Sequence, residues 1–304
     1  MFSVEKIREF FRGNISISEP LARFTTFKIG GPADYYLEPK DREDLINLIK
    51  YLKEIKYPYL IIGNGSNVLI SDEGIRGAAI NLEFGFTKIQ INKNNVFAEA
   101  GIRLSKLVDV CIENSLVGME NLAGIPGTLG GAILMNAGAY GGEISNFIKT
   151  VEVVDDVEFK FLTKEECGFT YRKSSLERKI ILSAEFELPF GDKAKARERR
   201  KELLIKRNQS QPVDVPNAGS IFKNPVGNYA GRLIEQAGLK GLTIGGAKVS
   251  EKHANFIVNF NNASANDVIE LMKVIQETVF NKFGILLEPE IKMIGFDQNK
   301  VKAG

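Results

Sequence analysis

The 304-residue sequence predicts a mixed α+β chain in two parts, a larger N-terminal one and a smaller C-terminal one. Three observations carry this reading. Up to Leu188, short apolar runs with strand character alternate with segments of helical period. A composition break then falls at "PFGDKAKARERRKELLIKRNQSQP" (Pro189–Pro212), a turn signal followed by lysines and arginines at helical spacing. Beyond it, amphipathic helices and apolar runs resume over a shorter length.

Taken in order, "MFSVEKIREFFRGN" has a helical apolar period but neither the apolar core nor the cleavage site of a signal peptide. Strands are expected at Ala33–Leu37, Tyr59–Ile62, Val68–Ile70, Ala78–Leu82, Ile89–Asn92 and Val96–Ala100. Between the first two, Asp41–Ile55 carries leucine or isoleucine at 45, 46, 48, 49, 52 and 55, which is a helix with one wide apolar face. Leu104–Ser115, after Gly101, reads as another helix. A glycine-rich stretch runs from Gly118 to Gly142, and strands return at Thr150–Val154, Val157–Phe161 and Ile180–Leu188. The basic run reads as a solvated helix joining two domains, with a nucleic-acid patch as the alternative. In the C-terminal part, "GNYAGRLIEQAG" and "SANDVIELMKVIQETVFNKFG" read as helices, the second starting at Ser264 or Asn266 and stopping at Gly284. "ANFIVNF" and "LLEPEIKMIGF" read as strands.

Composition narrows the function classes. The chain is 44% hydrophobic and 26% charged, with a net charge of +2, so no broad field attracts nucleic acid or an anionic membrane. Any anionic ligand must be met by local groups. Cys111 and Cys167 form no C-x-x-C pair and suit a reducing cytosol. With His253 as the only histidine, a zinc site and any two-histidine mechanism are not expected. No run of about 18 apolar residues exists, so no membrane span is expected.

Two glycine segments carry the ligand signal. "IIGNGSNVLI" (Ile61–Ile70) places small polar residues between strands, a loop whose backbone N–H groups suit a phosphate. It lacks the Gly-Lys-Ser/Thr of a Walker A loop. It also lacks the third glycine and the helix of a Rossmann site, although Glu83 lies at a ribose-binding distance downstream. The second, "NLAGIPGTLGGAILMNAGAYGGEI" (Asn121–Ile144), mixes seven glycines with Ile125, Leu129, Ile133, Leu134 and Met135. A solvated loop would not carry those, so the segment is expected to fold against a large, flat partner.

"TTFKIGGPADYYLEP", "GNGSNVLISDEGIRGAAINL" and "AGIPGTLGGAILMNAGAYGGEI", in this order, resemble the FAD-binding region of the UDP-N-acetylenolpyruvoylglucosamine reductase family. The resemblance extends roughly from Phe24 to Gly295. It implies a two-part FAD-binding domain of the vanillyl-alcohol-oxidase (PCMH) type over residues 1–190, with subdomains of about 1–82 and 83–190. A C-terminal α+β substrate-binding domain would follow over 191–304, with a linker helix at about 191–210. It further implies tightly but non-covalently bound FAD, its pyrophosphate wrapped by the backbone amides of Gly63, Asn64, Gly65, Ser66 and Asn67. Gly124, Ile125, Pro126, Gly127, Thr128, Gly130, Gly131, Asn136, Ala137 and Gly138 would line the flavin.

Three further motifs, "FTYRKS", "AGSIFKNP" and "LLEPEI", resemble the family's catalytic segments and imply Arg172, Ser220 and Glu290 as the active site. The reaction implied is reduction of UDP-N-acetylglucosamine enolpyruvate to UDP-N-acetylmuramate with NADPH, a cytoplasmic step of peptidoglycan precursor synthesis. Hydride would reach the terminal enolpyruvyl carbon from flavin N5, and Ser220 would protonate the resulting enolate. Arg172 suits a fixed cation on the substrate carboxylate, and a protonated Glu290 suits a second donor there. Periodicity cannot separate Glu288 from Glu290 on one predicted strand; the P-E-[IV] context of the family selects Glu290. Tyr171, Lys223 and Asn224 would contact the substrate, with Arg207, Arg232 and Lys248 as further phosphate candidates and His253 as structural or substrate-adjacent. No metal, nucleic acid or obligate protein partner is expected. Lys173 to Gly219 is too short for the tyrosine-loop insert of one family branch, so the chain resembles the shorter second type. Two other readings stay open, an oxygen-using alcohol oxidase of the same fold and a nucleotide-binding protein without turnover.

Overall fold

The computed structural model describes residues 2–296. Its helices are α1 (Val4–Arg8), α2 (Arg42–Glu54), α3 (Leu104–Glu113), α4 (Leu129–Leu134), α5 (Lys193–Ser210), α6 (Ala230–Gln236) and α7 (Ala265–Phe283). The expected helices form for the reasons their sequences give. The Asp41 carboxylate accepts from the Asp44 N–H at the start of α2, and Leu45, Leu48, Ile49 and Leu52 are fully buried along one face. In α7, Ser264 and Asp267 cap each other's backbone reciprocally, and the helix stops at Gly284. Helix α4 is unexpected, because it lies inside the glycine-rich stretch. The Thr128 hydroxyl caps it, and burial of Leu129 and Ile133 offsets the poor helix propensity of Gly130 and Gly131.

The strands are β1 (Asn14–Pro20), β2 (Pro32–Glu38), β3 (Tyr59–Ile62), β4 (Val68–Ile70), β5 (Ile75–Asn81), β6 (Ile89–Asn92), β7 (Asn95–Glu99), β8 (Gly138–Ala139), β9 (Gly142–Glu143), β10 (Ile148–Asp155), β11 (Glu158–Thr163), β12 (Ile180–Glu187), β13 (Thr243–Ile244), β14 (Ala247–Val249), β15 (Ile257–Asn259) and β16 (Lys292–Ile294). One sheet has the order β1-β2-β5-β3, in which β3 runs parallel to β5 with Tyr59 opposite Ala78. An antiparallel sheet has the order β11-β10-β12-β7-β6, with Phe186 opposite Val96. The smaller sheets are β13-β14-β15, the parallel pair β16-β4 and the hairpin β8-β9.

By backbone contacts the chain divides into two compact units. The first takes the chain up to Ile17, Tyr35–Gly63 and Gly77–Lys206; the second takes Ser18–Asp34, Asn64–Arg76 and the chain from Arg207 onward. The second therefore draws in two segments that a single cut near 190 would leave with the N-terminal part. One of them, β4, lies parallel to β16 with Val68 opposite Lys292. Each unit has its own core. Leu37, Leu48, Leu107, Val151 and Phe186 belong to that of the first, and Phe27, Leu69, Phe222, Ile257 and Leu271 to that of the second.

Candidate active site

In the first unit, a cleft opens between the end of β3 and the loop before α4. Ile61, Ile62, Leu82, Leu134 and Ile181 give it apolar walls, and Gly63, Thr128, Gly130 and Gly131 meet along it. Gly63 is required there, since a side-chain carbon on it would run into the Thr128 hydroxyl. Glu83 and Lys179 bring the charges. Burial pushes the Glu83 carboxyl up, while Arg103, 2.5 Å away, pulls it back. Apolar walls beside glycine backbone fit a flat aromatic ring system.

Of the residues expected around a flavin, Thr128, Gly130 and Gly131 line this cleft, together with Gly63, a residue expected at the pyrophosphate, whereas Gly124, Ile125, Pro126 and Gly127 are not among its walls. The Leu104 N–H donates to the Gly127 carbonyl at 3.0 Å. Asn136 is 1% exposed, and its side-chain amide donates to Glu143 and to the Thr170 carbonyl and accepts from the Ser145 N–H. Any contact it makes with a ligand therefore falls to its backbone. Ala137 follows it, and Gly138 pairs with Glu143 in the β8-β9 hairpin.

Asn136 also fixes the setting of Arg172. Thr170 and Lys173 exchange both backbone hydrogen bonds, closing a tight turn with Tyr171 and Arg172 at its tip. Arg172 has φ 55°, a left-handed conformation that this position of a turn normally gives to glycine or asparagine. An arginine held in that conformation points to a demand on its side chain. The guanidinium donates to the Gly138 carbonyl at 2.9 Å and lies 4.9 Å from the centre of the half-exposed Tyr171 ring. Arg172 thus stands next to the glycine segment, on the same unit as the cleft.

The second unit brings together the rest of the glycine loop, Ser220 and Glu290. Gly65 has φ 59°, and its close approach to the Phe24 carbonyl leaves no room for a side chain. Its own carbonyl accepts from the Thr26 N–H at 3.2 Å, and the Thr26 hydroxyl donates to the Asn217 carbonyl at 2.7 Å. Among the described residues, none accepts from the N–H groups of Asn64 and Gly65, so these donors can meet a ligand or water. Asn67 has a different task. Its side chain donates to the Glu290 carbonyl at 3.3 Å, and its own carbonyl accepts from the Lys292 N–H at 2.9 Å. Glu290 is in turn joined to the Ser220 segment, because its N–H donates to the Ile221 carbonyl at 2.7 Å. Ser66 presents its carbonyl toward Gly219, the residue before Ser220.

The single strand expected over Leu286–Phe296 is not what forms. Only Lys292–Ile294 is a strand, and Pro289, which has no N–H, makes an isolated bridge to Phe222. Glu288 and Glu290 consequently differ. The Glu288 side chain is 73% exposed and pairs with Lys223 at 3.3 Å, while Glu290 is half-buried. Lys223 is thus engaged with Glu288, and Asn224 accepts from the Ala230 N–H at the start of α6. Among the weaker phosphate candidates, Lys248 lies 3.9 Å from Glu251, Arg232 is exposed on α6 and Arg207 lies in α5. The His253 ring packs edge-on against Phe256, and its Nδ1 accepts from the Asn255 N–H at 3.2 Å. Burial lowers its pKa, so the neutral ring with the proton on Nε2 is favoured. Thr26, Asn217 and Asn255 carry structural tasks here that sequence reasoning missed. Only the position of Thr26 in "TTFKIGG" and of Asn255 in "ANFIVNF", both within quoted segments, could have drawn attention to them.

Comparison with known proteins bears on the family and the fold. Residues 33–157 match the model of an FAD binding domain, and residues 211–294 match that of the UDP-N-acetylenolpyruvoylglucosamine reductase C-terminal domain. The UDP-N-acetylenolpyruvoylglucosamine reductase of Chloroherpeton thalassium is 48% identical over 99% of this chain and 100% of its own. That of Caldanaerobacter subterraneus subsp. tengcongensis is 47% identical over 96% and 98%. The crystal structure of the enzyme from Thermus caldophilus superposes with a TM-score of 0.81 at 37% identity, covering 94% of this chain and all of that one. The fold is that of an FAD-binding domain of the vanillyl-alcohol-oxidase (PCMH) type followed by the reductase C-terminal domain, and the cofactor is FAD. With near-complete coverage by relatives at this identity, the chain belongs to the UDP-N-acetylenolpyruvoylglucosamine reductase family.

Proposed function

We propose that this protein reduces UDP-N-acetylglucosamine enolpyruvate to UDP-N-acetylmuramate with NADPH, in the cytoplasm, as a step of peptidoglycan precursor synthesis. The observation that carries this reading is the joining of the Ser220 segment, Glu290 and Asn67 through hydrogen bonds of 2.7 and 3.3 Å. Groups 70 to 223 positions apart in the sequence are thereby held within one small region of the second unit.

The chemistry asks for these groups. FAD supplies the ability to take a hydride from NADPH and deliver it to the terminal carbon of the enolpyruvyl ether. As that bond forms, charge moves to the neighbouring carbon and into the carboxylate. Arg172, permanently charged and able to form two parallel hydrogen bonds, stabilises this carboxylate most when it has become an enolate. Glu290, protonated beside the carboxylate, donates a second bond. Ser220 gives its hydroxyl proton to the carbon next to the ether oxygen and recovers one from solvent, so each turnover consumes one NADPH and one proton. Lys223, Asn224 and Tyr171 meet the nucleotide sugar, with Lys223 exchanging Glu288 for phosphate oxygens. Asn64 and Gly65 offer N–H groups to the FAD pyrophosphate.

The reading is tested by incubating the protein, with its bound flavin, with NADPH and UDP-N-acetylglucosamine enolpyruvate in the absence of oxygen. The expected result is one NADPH oxidised per substrate consumed, with a product heavier by two hydrogens. NADPH oxidation that depends on oxygen and leaves the sugar nucleotide unchanged would instead support the oxidase reading.

A further inference from the structure

Serine is a weak proton donor, so its usefulness depends on how well its hydroxyl is held relative to the carbon it protonates. Ser220 sits in an irregular segment, where no helix or sheet ladder holds it. The segment is nevertheless pinned on both sides. Before the serine, the Gly219 N–H donates to the Asn217 side chain at 2.9 Å. After it, a single residue takes over: Asn255 pairs both backbone groups of Phe222. Its Oδ1 accepts from the Phe222 N–H at 3.0 Å, and its Nδ2 donates to the Phe222 carbonyl at 2.7 Å. Its main-chain carbonyl also accepts from the Ile221 N–H at 2.8 Å. The other side of Ile221 is the carbonyl that receives the Glu290 N–H, at 2.7 Å.

Asn255 is 3% exposed, and Ile221 and Phe222 are 0% and 1% exposed, so these bonds are shielded from water. The pattern of partners fixes the amide orientation, since only Oδ1 can face an N–H and only Nδ2 a carbonyl. Removing the amide would leave an N–H and a carbonyl of Phe222 buried without partners, two residues from Ser220. No other side chain among the described residues bonds both groups of one residue in this segment.

We propose that Asn255 is a positioning residue for the reaction. By clamping Phe222 and Ile221 it fixes the direction of the Ser220 hydroxyl and, through the Ile221 carbonyl, the place of Glu290. The inference rests on the catalytic reading of Ser220 and Glu290 given above.

The test uses the full-length protein with its flavin, as Asn255→Ala and, should that fail to fold, as Asn255→Ser. Backbone amide hydrogen exchange reads the clamp independently of turnover. The Phe222 and Glu290 amides are expected to exchange at least ~10-fold faster while those of α7 are unchanged. In anaerobic stopped-flow measurements, NADPH-driven bleaching of the flavin should stay within about 2-fold of wild type. Substrate-driven return of the colour should slow by ~100-fold with little change in substrate affinity. In a Ser220→Ala background, Asn255→Ala should add almost nothing, because the residue it positions is gone. Unchanged protection of Phe222 and Glu290 overturns the proposal, as do equal losses in both half-reactions or an effect that multiplies with that of Ser220→Ala. If the wild-type flavin is never reoxidised by the substrate, the proposed function falls, and the exchange result alone decides whether Asn255 is a clamp.

Discussion

Glu288 and Glu290 differ by one proline between them, and their surroundings assign them separate work. Glu288 faces solvent and pairs with Lys223, whereas Glu290 is held on both its amide and its carbonyl. Exposed ion pairs contribute little to stability, so Glu288→Gln should leave kcat within about 2-fold. Glu290→Gln keeps a hydrogen-bond donor in the place of a protonated carboxyl, and Glu290→Ala removes it. Steady-state kinetics should therefore rank Glu290→Ala far below Glu290→Gln, with a loss of ~10²-fold or more in kcat. Equal losses for the two would mean that Glu290 does not act as a donor. His253 makes a second residue-scale prediction. Burial holds its pKa below the ordinary 6.5, so the unfolded chain binds the proton more readily than the folded one. Its contribution is present above pH 6.5 and is lost as the pH falls from there through the folded value. Denaturant midpoints measured between about pH 7 and pH 5 should decline, and His253→Asn, which keeps an acceptor for the Asn255 N–H, should flatten the decline.

At the scale of elements, what could be read in the sequence was what local physics decides. Helix α2 declares itself through its apolar stripe, and α7 through Ser264 at one end and Gly284 at the other. Helix α4 does not, because its glycines argue against a helix and only the burial of Leu129 and Ile133 favours it. The strand expected from Leu286 shrinks to Lys292–Ile294 because pairing with β4 begins only at Lys292, beyond the reach of a local pattern. The site divides similarly. The glycine loops, Arg172 and Ser220 stand in motifs long enough to resemble a family, whereas the side chains of Asn255 and Asn217 bond backbone groups that only the folded chain brings to them. The two cysteines give an element-scale prediction. Cys111 lies inside α3 and Cys167 after β11, both buried, and burial pushes their thiols up to about 12 and about 11. A thiol reagent at pH 8 should modify neither in the folded protein and both after denaturation. Rapid labelling of the native chain would show that one of these elements opens readily.

For the whole molecule, one chain builds two cores and gives them different equipment. The first unit has the apolar cleft, the glycine segment and Arg172; the second has Asn64, Gly65, Ser220 and Glu290. Among the described residues no helix is long and apolar enough to cross a membrane. Family membership makes FAD the cofactor, and under the proposed function NADPH and the sugar nucleotide act on that cofactor in turn. The most direct test is the visible spectrum of the purified protein under anaerobic conditions, read after each of two additions. The proposed function requires an oxidised flavin spectrum that bleaches on addition of NADPH and returns when UDP-N-acetylglucosamine enolpyruvate follows. A flavin that bleaches but regains its colour only when oxygen is admitted, with the substrate unaltered, would contradict it.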